Sequence, residues 1–278
     1  MVKQEIKIAT IDLYNNEKNE GMRCIREIIS ETKDKFQDQQ ITSNVFETRF
    51  KGDVPEPDYD IFISSGGPGS PFEGEGQKWE KDYFQLLEKI YGHNQSNPDK
   101  KKYIFFICHS FQMMARFFEF GEVSKRHSKS FGVLPFSKTE DGKDDPVLAP
   151  LSNPFYAADI RQFQVTNPDK RIIDELGAKI LSTEIIDDSQ DKPPAISALR
   201  ISDEIVGTQF HPEADPESML YHFRQPERKQ QVVEKYGETR YHQMMELLKQ
   251  PDTIELIRKT VIPNFLNNAI EELSKVLI

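Results

Sequence analysis

Short apolar runs alternate with amphipathic stretches through the first part of this chain, and that alternation limits the folds open to it. Lys7-Ile-Ala-Thr-Ile-Asp-Leu13, Thr42 to Phe50, Tyr59-Asp-Ile-Phe-Ile-Ser64 and Tyr103-Ile-Phe-Phe-Ile107 read as strands. The stretch from Glu20 to Lys35, and the one from Trp79 to Tyr91 with Tyr83, Phe84, Leu86, Leu87 and Ile90, have helical apolar spacing. Strands buried on both faces and separated by helices predict an α/β fold around a largely parallel sheet. From Gly132 to Ile205 the pattern predicts short strands joined by polar loops, among them residues 140–146 and 187–194. Residues 214–278 read as almost wholly helical and highly charged, with Pro226, Pro251 and Pro263 marking breaks or first turns.

At 278 residues the chain can bury one large core, or one core plus an appendage. Its net charge of −10 argues against a nucleic-acid or anionic-membrane surface. No apolar run approaches the ~20 residues that span a bilayer. Charges interrupt the first residues where a signal peptide would need an apolar stretch, so the expected location is cytoplasmic. Of the two cysteines, Cys24 falls at helical spacing beside Ile25, Ile28 and Ile29 and reads as a small buried hydrophobe. His93, His127, His222 and His242 have no partner at metal-ligand spacing and read as surface side chains; no metal or cofactor is expected.

Cys108 stands where its strand passes directly into the helix-like Phe111-Gln112-Met113-Met114 segment. A thiol with its ordinary pKa of ~8.5 is mostly protonated at neutral pH and needs a base or a positive field to act as a nucleophile. A strand-to-helix turn supplies the field, because the free N–H groups of the helix start favour a thiolate. The same elbow offers the His109 N–H to an oxyanion, and Ser65-Gly66-Gly67-Pro68-Gly69 offers a second donor from another strand end. Downstream, Ile205-Val-Gly-Thr-Gln-Phe-His211-Pro-Glu213 places an imidazole and a carboxylate two residues apart. Extended backbone through Pro212 would point both the same way, letting Glu213 orient His211 against the thiol. Gln112 lies one helical turn beyond Cys108, where its amide can donate to and accept from a substrate.

These residues resemble the class I glutamine amidotransferases, including their GMP synthase-like members. The shared motifs are the Gly-Gly-Pro-Gly loop, the Cys-x-x-x-Gln elbow and the terminal His-Pro-Glu, in that order and at similar separation. Val123 and Ser130-Phe-Gly-Val-Leu-Pro look like the family's strand pair after the elbow helix. The resemblance implies a three-layer, flavodoxin-like, mostly parallel sheet over residues 1–215, with residues 216–278 as a helical C-terminal extension. It implies Cys108 as nucleophile, His211 as base, Glu213 as its orienter, and Gly67 and His109 as oxyanion donors. Gly66, Gln112, Gln162 and Phe163 would contact substrate. The expected reaction is release of ammonia from glutamine through a cysteine thioester, with the ammonia passed to a synthetase chain in trans. Hydrolysis of another γ-glutamyl small molecule and a non-catalytic binding module are the alternatives, and self-association stays open.

Two departures stand out. The family's elbow usually reads Gly-x-Cys-x-Gly-x-Gln, whereas this chain has Phe106 and Ser110 at the glycine positions. Where many relatives carry a Ser-His-Gly-Asp-like segment, this chain reads Ile160-Arg-Gln-Phe-Gln-Val165, with Arg161 in place of the histidine and Gln162 in place of the glycine.

Overall fold

The computed structural model describes residues 5–185, 194–250 and 253–275. In chain order the elements are β1 (Ile6–Ile11), α1 (Gly21–Lys35), β2 (Ile41–Phe46), α2 (Thr48–Lys51), β3 (Ile61–Ser64), α3 (Lys78–Ser96), β4 (Tyr103–Ile107), α4 (His109–Phe118) and β5 (Glu122–Lys138). They continue with α5 (Glu140–Asp144), β6 (Phe155–Thr166), α6 (Lys170–Leu176), β7 (Lys179–Glu184), β8 (Ile196–Ser202), β9 (Ile205–Thr208), α7 (Pro216–Arg224), α8 (Pro226–Leu247) and α9 (Ile254–Lys275). Among the described residues the strands form one sheet in the order β2-β1-β3-β4-β9-β8-β7-β5-β6.

The five strands from β2 to β9 are parallel, and every side chain of β3 and β4 is buried. Successive residues feed opposite layers. Ile61, Ile63 and Phe105 pack with Ile25 and Ile28 of α1 and Val261 and Phe265 of α9, while Phe62, Ile104 and Phe106 pack with Tyr83 of α3 and Met113 of α4. Covering both faces in this way produces the uninterrupted apolar runs of the sequence. A third apolar cluster joins Phe131, Val133 and Ala158 of the β5–β6 pair to Met219, Phe223 and Met244 of α7 and α8.

The remaining ladders, β9–β8, β8–β7, β7–β5 and β5–β6, are all antiparallel, so the sheet is mixed and the expectation of a mostly parallel one is corrected. The region from Gly132 to Ile205 also differs from its reading as short strands joined by loops. β5 spans 17 residues and β6 spans 12. Their length escapes the sequence because a register shift between Lys125 and Ser130 breaks the period, and the outer half of β5 is largely exposed. Residues 140–144 form a short helix capped by Thr139, whose hydroxyl accepts from the Gly142 N–H. Residues 187–193 and Pro251 lie outside the described residues.

The expected strand from Thr42 to Phe50 stops at Phe46, and Thr48–Lys51 makes one helical turn instead, ended by Gly52 in the left-handed region (φ 69°). Beyond Glu213 the described chain is helical, as its apolar spacing predicts, with α8 kinked at Gly237 (φ 83°). Pro226 occupies the first turn of α8, whereas Pro263 sits inside α9. No helix among the described residues is long and apolar enough to cross a membrane.

Candidate active site

β4 ends at Ile107 and α4 begins at His109, leaving Cys108 alone to turn the chain. Its backbone sits at φ 49° and ψ −96°, a conformation that costs an L-residue energy and persists only where the surroundings enforce it. Four hydrogen bonds enforce it here. The Cys108 N–H donates to the Thr208 carbonyl (2.8 Å), tying the elbow to β9. The Ser110 hydroxyl accepts from the Ile107 N–H (2.8 Å) and donates to the Ser64 carbonyl (2.7 Å), tying it to β3. Finally, the Gln112 N–H donates back to the Cys108 carbonyl (3.1 Å), closing the first turn of α4. Ser110 is therefore a fully buried clamp at the position where the family usually has glycine.

Phe106 also fits. It pairs across the ladder with Gly207 of β9, and a Cβ at Gly207 would stand 2.8 Å from the Phe111 ring and 3.0 Å from the Phe106 Cβ. The missing side chain on β9 leaves the room that Phe106 and Phe111 occupy.

The glycine loop follows β3 directly. The Ser65 hydroxyl accepts from the Leu13 N–H (2.9 Å) and donates to the Gly66 carbonyl (2.8 Å), binding the loop to the end of β1. A Cβ at Gly67 would lie 2.5 Å from the Leu13 carbonyl oxygen, and one at Gly66 would lie 3.0 Å from Cε1 of His211. Neither position can carry a side chain without displacing backbone or the imidazole. Arg49 on α2 donates to the Pro68 carbonyl (2.6 Å) and pairs with Glu73, holding the far side of the loop.

After β9 the chain makes a tight turn rather than continuing extended. His211 pairs by its N–H with the Ala158 carbonyl (2.8 Å), and the Ala214 N–H returns to the His211 carbonyl (3.4 Å). That turn, not the extended alternation expected from the sequence, brings His211 Nδ1 within 2.8 Å of Glu213 Oε1. Among the described residues His211 Nε2 is buried with no nitrogen or oxygen partner. Burial opposes a charge on the imidazole, but the charges of Glu213 and Cys108 outweigh it and hold the His211 pKa well above its usual value. The Cys108 Sγ also contacts the Ile160 carbonyl at 3.5 Å. His109 is itself buried, and desolvation helped by Arg49 and Arg116 lowers its imidazole pKa to about 3. Its side chain is neutral, and its N–H opens α4 beside Cys108.

A cavity of about 340 Å³ opens in front of these groups. Cys108, His109, Gln112, Gly67, Gln162, His211 and Glu213 all border it, while Gly66 and Phe163 do not. Gly66 lies behind His211, and the Phe163 carbonyl accepts from the Gln112 amide (3.2 Å). That amide also donates to Oε1 of Gln209 (3.2 Å), so Gln112 is held from two sides. Among the described residues no three His, Cys, Asp or Glu side chains come together as metal ligands would.

Sequence reasoning missed several participants. Tyr14 borders the cavity between Gly21 and Gly66, and burial, then the charges of Glu213 and Cys108, raise its pKa so that the phenol stays protonated. His222, read as a surface side chain, is half-buried in the cavity wall, where desolvation lowers its pKa. Arg161, buried and bordering the same cavity as Cys108, pairs with Asp159 (3.0 Å) and Glu184 (3.0 Å). Only the Arg161 position carried a signal, as an unexpected residue in the family's segment.

Solved structures share the fold. A glutamine amidotransferase from Thermotoga maritima superposes with a TM-score of 0.64 at 16% identity, covering 96% of this chain and 98% of its own. A glutamine amidotransferase from Methylobacillus flagellatus gives 0.54 at 13% identity, covering 99% and 94%. The glutaminase domain of Trypanosoma brucei CTPS, with bound acivicin, gives 0.53 at 12% identity, covering 75% and 86%. A search of curated proteins by sequence finds no match. The family model described as glutamine amidotransferase class-I matches residues 22–225, which contain the elbow, the glycine loop and the His-Pro-Glu turn, and the chain belongs to that family.

Proposed function

We propose that the protein hydrolyses a γ-glutamyl amide, in the simplest case glutamine, with Cys108 as nucleophile. The observation that carries this reading is the His211–Glu213 pair at 2.8 Å beside a cysteine in a strained elbow. The Cys108 sulfur adds to the amide carbonyl, and its oxyanion takes hydrogen bonds from the Gly67 and His109 N–H groups. His211, held protonated by Glu213, gives its proton to the leaving nitrogen, and the C–N bond breaks to leave a glutamyl thioester. The neutral imidazole then takes a proton from water as the hydroxyl attacks the thioester. Glutamate leaves, and the free sulfur and the protonated His211 are restored for the next cycle. Across the cycle one amide and one water become one carboxylate and one protonated amine or ammonium.

Residues 1–215 would form the catalytic unit, with residues 216–278 as an extension that helps to enclose it. Ser218, Met219 and His222 of α7 and Arg228 of α8 border the cavity, which supports that division of labour. In one reading ammonia passes to a synthetase chain in trans. The other is a stand-alone hydrolase of a larger γ-glutamyl compound, favoured by Arg161 in the substrate segment and by the size of the cavity. A non-catalytic module drew its support from Phe106, and the room that Gly207 leaves for Phe106 weighs against it.

Purified protein treated with an electrophilic glutamine analogue should carry one label, mapped to Cys108 by mass spectrometry. Absence of label together with no cleavage of glutamine or any γ-glutamyl amide would overturn the hydrolase reading.

A further inference from the structure

The cavity lining brings Lys129, Arg161 and Arg228 together with Lys18, Glu17, Glu20 and Glu213, in a chain whose net charge is −10. We propose that the part of this lining built from Lys129, Ser130, Arg161 and Arg228 is an anion subsite that selects γ-glutamyl amides whose amine portion carries a carboxylate. The inference rests on the hydrolase reading above and deepens it.

Position comes first. The Ile160 carbonyl touches the Cys108 sulfur at 3.5 Å, and Ile160 pairs across the β5–β6 ladder with Phe131. The neighbouring pair in that ladder is Ser130 with Arg161. The Arg228 guanidinium, entering from α8, lies 5.4 Å from the centre of the Phe131 ring. All four proposed residues therefore flank the strand segment against which the nucleophile rests, and all four border the same cavity.

Charge and satisfaction follow. Among the described residues neither Lys129 nor Arg228 has a carboxylate within ion-pair distance; Arg228 reaches only the neutral Gln231 side chain (3.2 Å). Behind them, Arg161 is fully buried, and among the described residues its pairs with Asp159 and Glu184 leave its Nη1 without a hydrogen-bond partner. The buried Ser130 hydroxyl has none either. Buried donors of this kind are rarely left unpaired. A ligand oxygen entering from the cavity would answer both, and the two outer cations would balance its charge.

Size decides which part of the substrate reaches them. A cavity of about 340 Å³ lies in the range of roughly 300–1,000 Å³ that holds ligands larger than a free amino acid. The glutamyl half must place its amide at Cys108, so the remaining space belongs to the amine side of the scissile bond.

The test compares substrates with identical glutamyl halves. γ-Glutamylglycine and γ-glutamylethylamide differ only in a carboxylate against a methyl group, and a γ-glutamyl diaminoethane replaces it with an ammonium. Wild-type protein should favour γ-glutamylglycine over the ethylamide by roughly tenfold or more in kcat/KM, the scale of one charge-assisted hydrogen bond. Arg228→Gln should erase most of that ratio, Arg228→Lys should restore part of it, and Arg228→Glu should turn the preference toward the ammonium-bearing amide. Calorimetric binding to Cys108→Ser protein should show the same order without turnover. Equal cleavage of γ-glutamylglycine and γ-glutamylethylamide by the wild type would overturn the subsite while leaving the hydrolase reading standing. Failure to cleave any of the three, or glutamine, would overturn both.

Discussion

Replacing Gly207 with alanine tests how this elbow tolerates Phe106. The new Cβ would stand 2.8 Å from the Phe111 ring, 3.0 Å from the Phe106 Cβ and 3.1 Å from the Met114 sulfur. Phe106 and Phe111 are almost fully buried, so neither ring can swing into solvent, and only the flexible Met114 can yield cheaply. Forcing a methyl group into a filled core typically costs about 1–3 kcal/mol. Two of the three contacts here are with rigid aromatic groups, which places the expected loss in the upper half of that range, about 2–3 kcal/mol. At ~2–4 °C per kcal/mol for larger domains, the melting temperature should fall by roughly 4–12 °C. Because Phe111 belongs to the first turn of α4, the strain should also move the His109 N–H and lower kcat more than it raises KM. Thermal melting and steady-state hydrolysis measure the two effects. Combined with Phe106→Gly, the alanine should cost less than it does alone, since one of its clashes is gone. A Gly207→Ala protein that melts within a degree of wild type would refute the argument that this glycine makes room for Phe106.

Phe106→Gly alone brings the elbow to the family's usual residue, yet it empties a filled site and should destabilise by about 3–5 kcal/mol, measured by denaturant unfolding. Ser110→Ala should lower kcat by roughly ten- to hundredfold, with the Cys108 labelling rate falling in parallel, because the clamp to Ser64 and Ile107 is lost from a buried site. In Glu213→Gln the charge that raises the His211 pKa is removed, so the alkaline limb of kcat/KM should move to lower pH; an unmoved limb would remove Glu213 from its orienting role. His109 gives an acid-side prediction. Unfolded, its imidazole takes a proton near ~6.5, but in the folded chain not until about 3, so the unfolded state binds more protons in that window. Stability should therefore fall as pH drops from about 6.5 toward 3, and His109→Gln should flatten that slope in denaturant titrations.

The parallel half of the sheet was legible because burial on both faces writes itself into β3 and β4 as continuous apolar runs. The cysteine elbow was legible because such a run stops directly against a helical pattern. The antiparallel half was not, since β5 carries Glu122, Lys125, Arg126 and Lys129 on its open stretch and a register shift interrupts its period. The His211–Glu213 pairing was anticipated, but the turn that makes it was not. Pro212 fits either path, and the choice depends on the His211–Ala158 bridge, a contact over 50 residues long. Tyr14 and Gln209 escaped notice, and Ser110 was seen only as a departure from glycine, for a related reason, because their roles exist only after distant strand ends converge. Phe106 raised a sound question whose answer, Gly207, lay a hundred positions away.

α9 covers the face of the sheet shared with α1, burying Ile257, Val261, Phe265 and Ile270 against residues such as Ile61 and Phe105. A ribosome makes this helix after every strand it covers. Until α9 emerges, the α1 side of the parallel sheet keeps a broad apolar surface open to water and to other chains. The nascent protein must therefore delay final collapse or be shielded during synthesis, and the elbow at Cys108 can settle into its strained geometry only after β9, which ties it through Thr208, has been made.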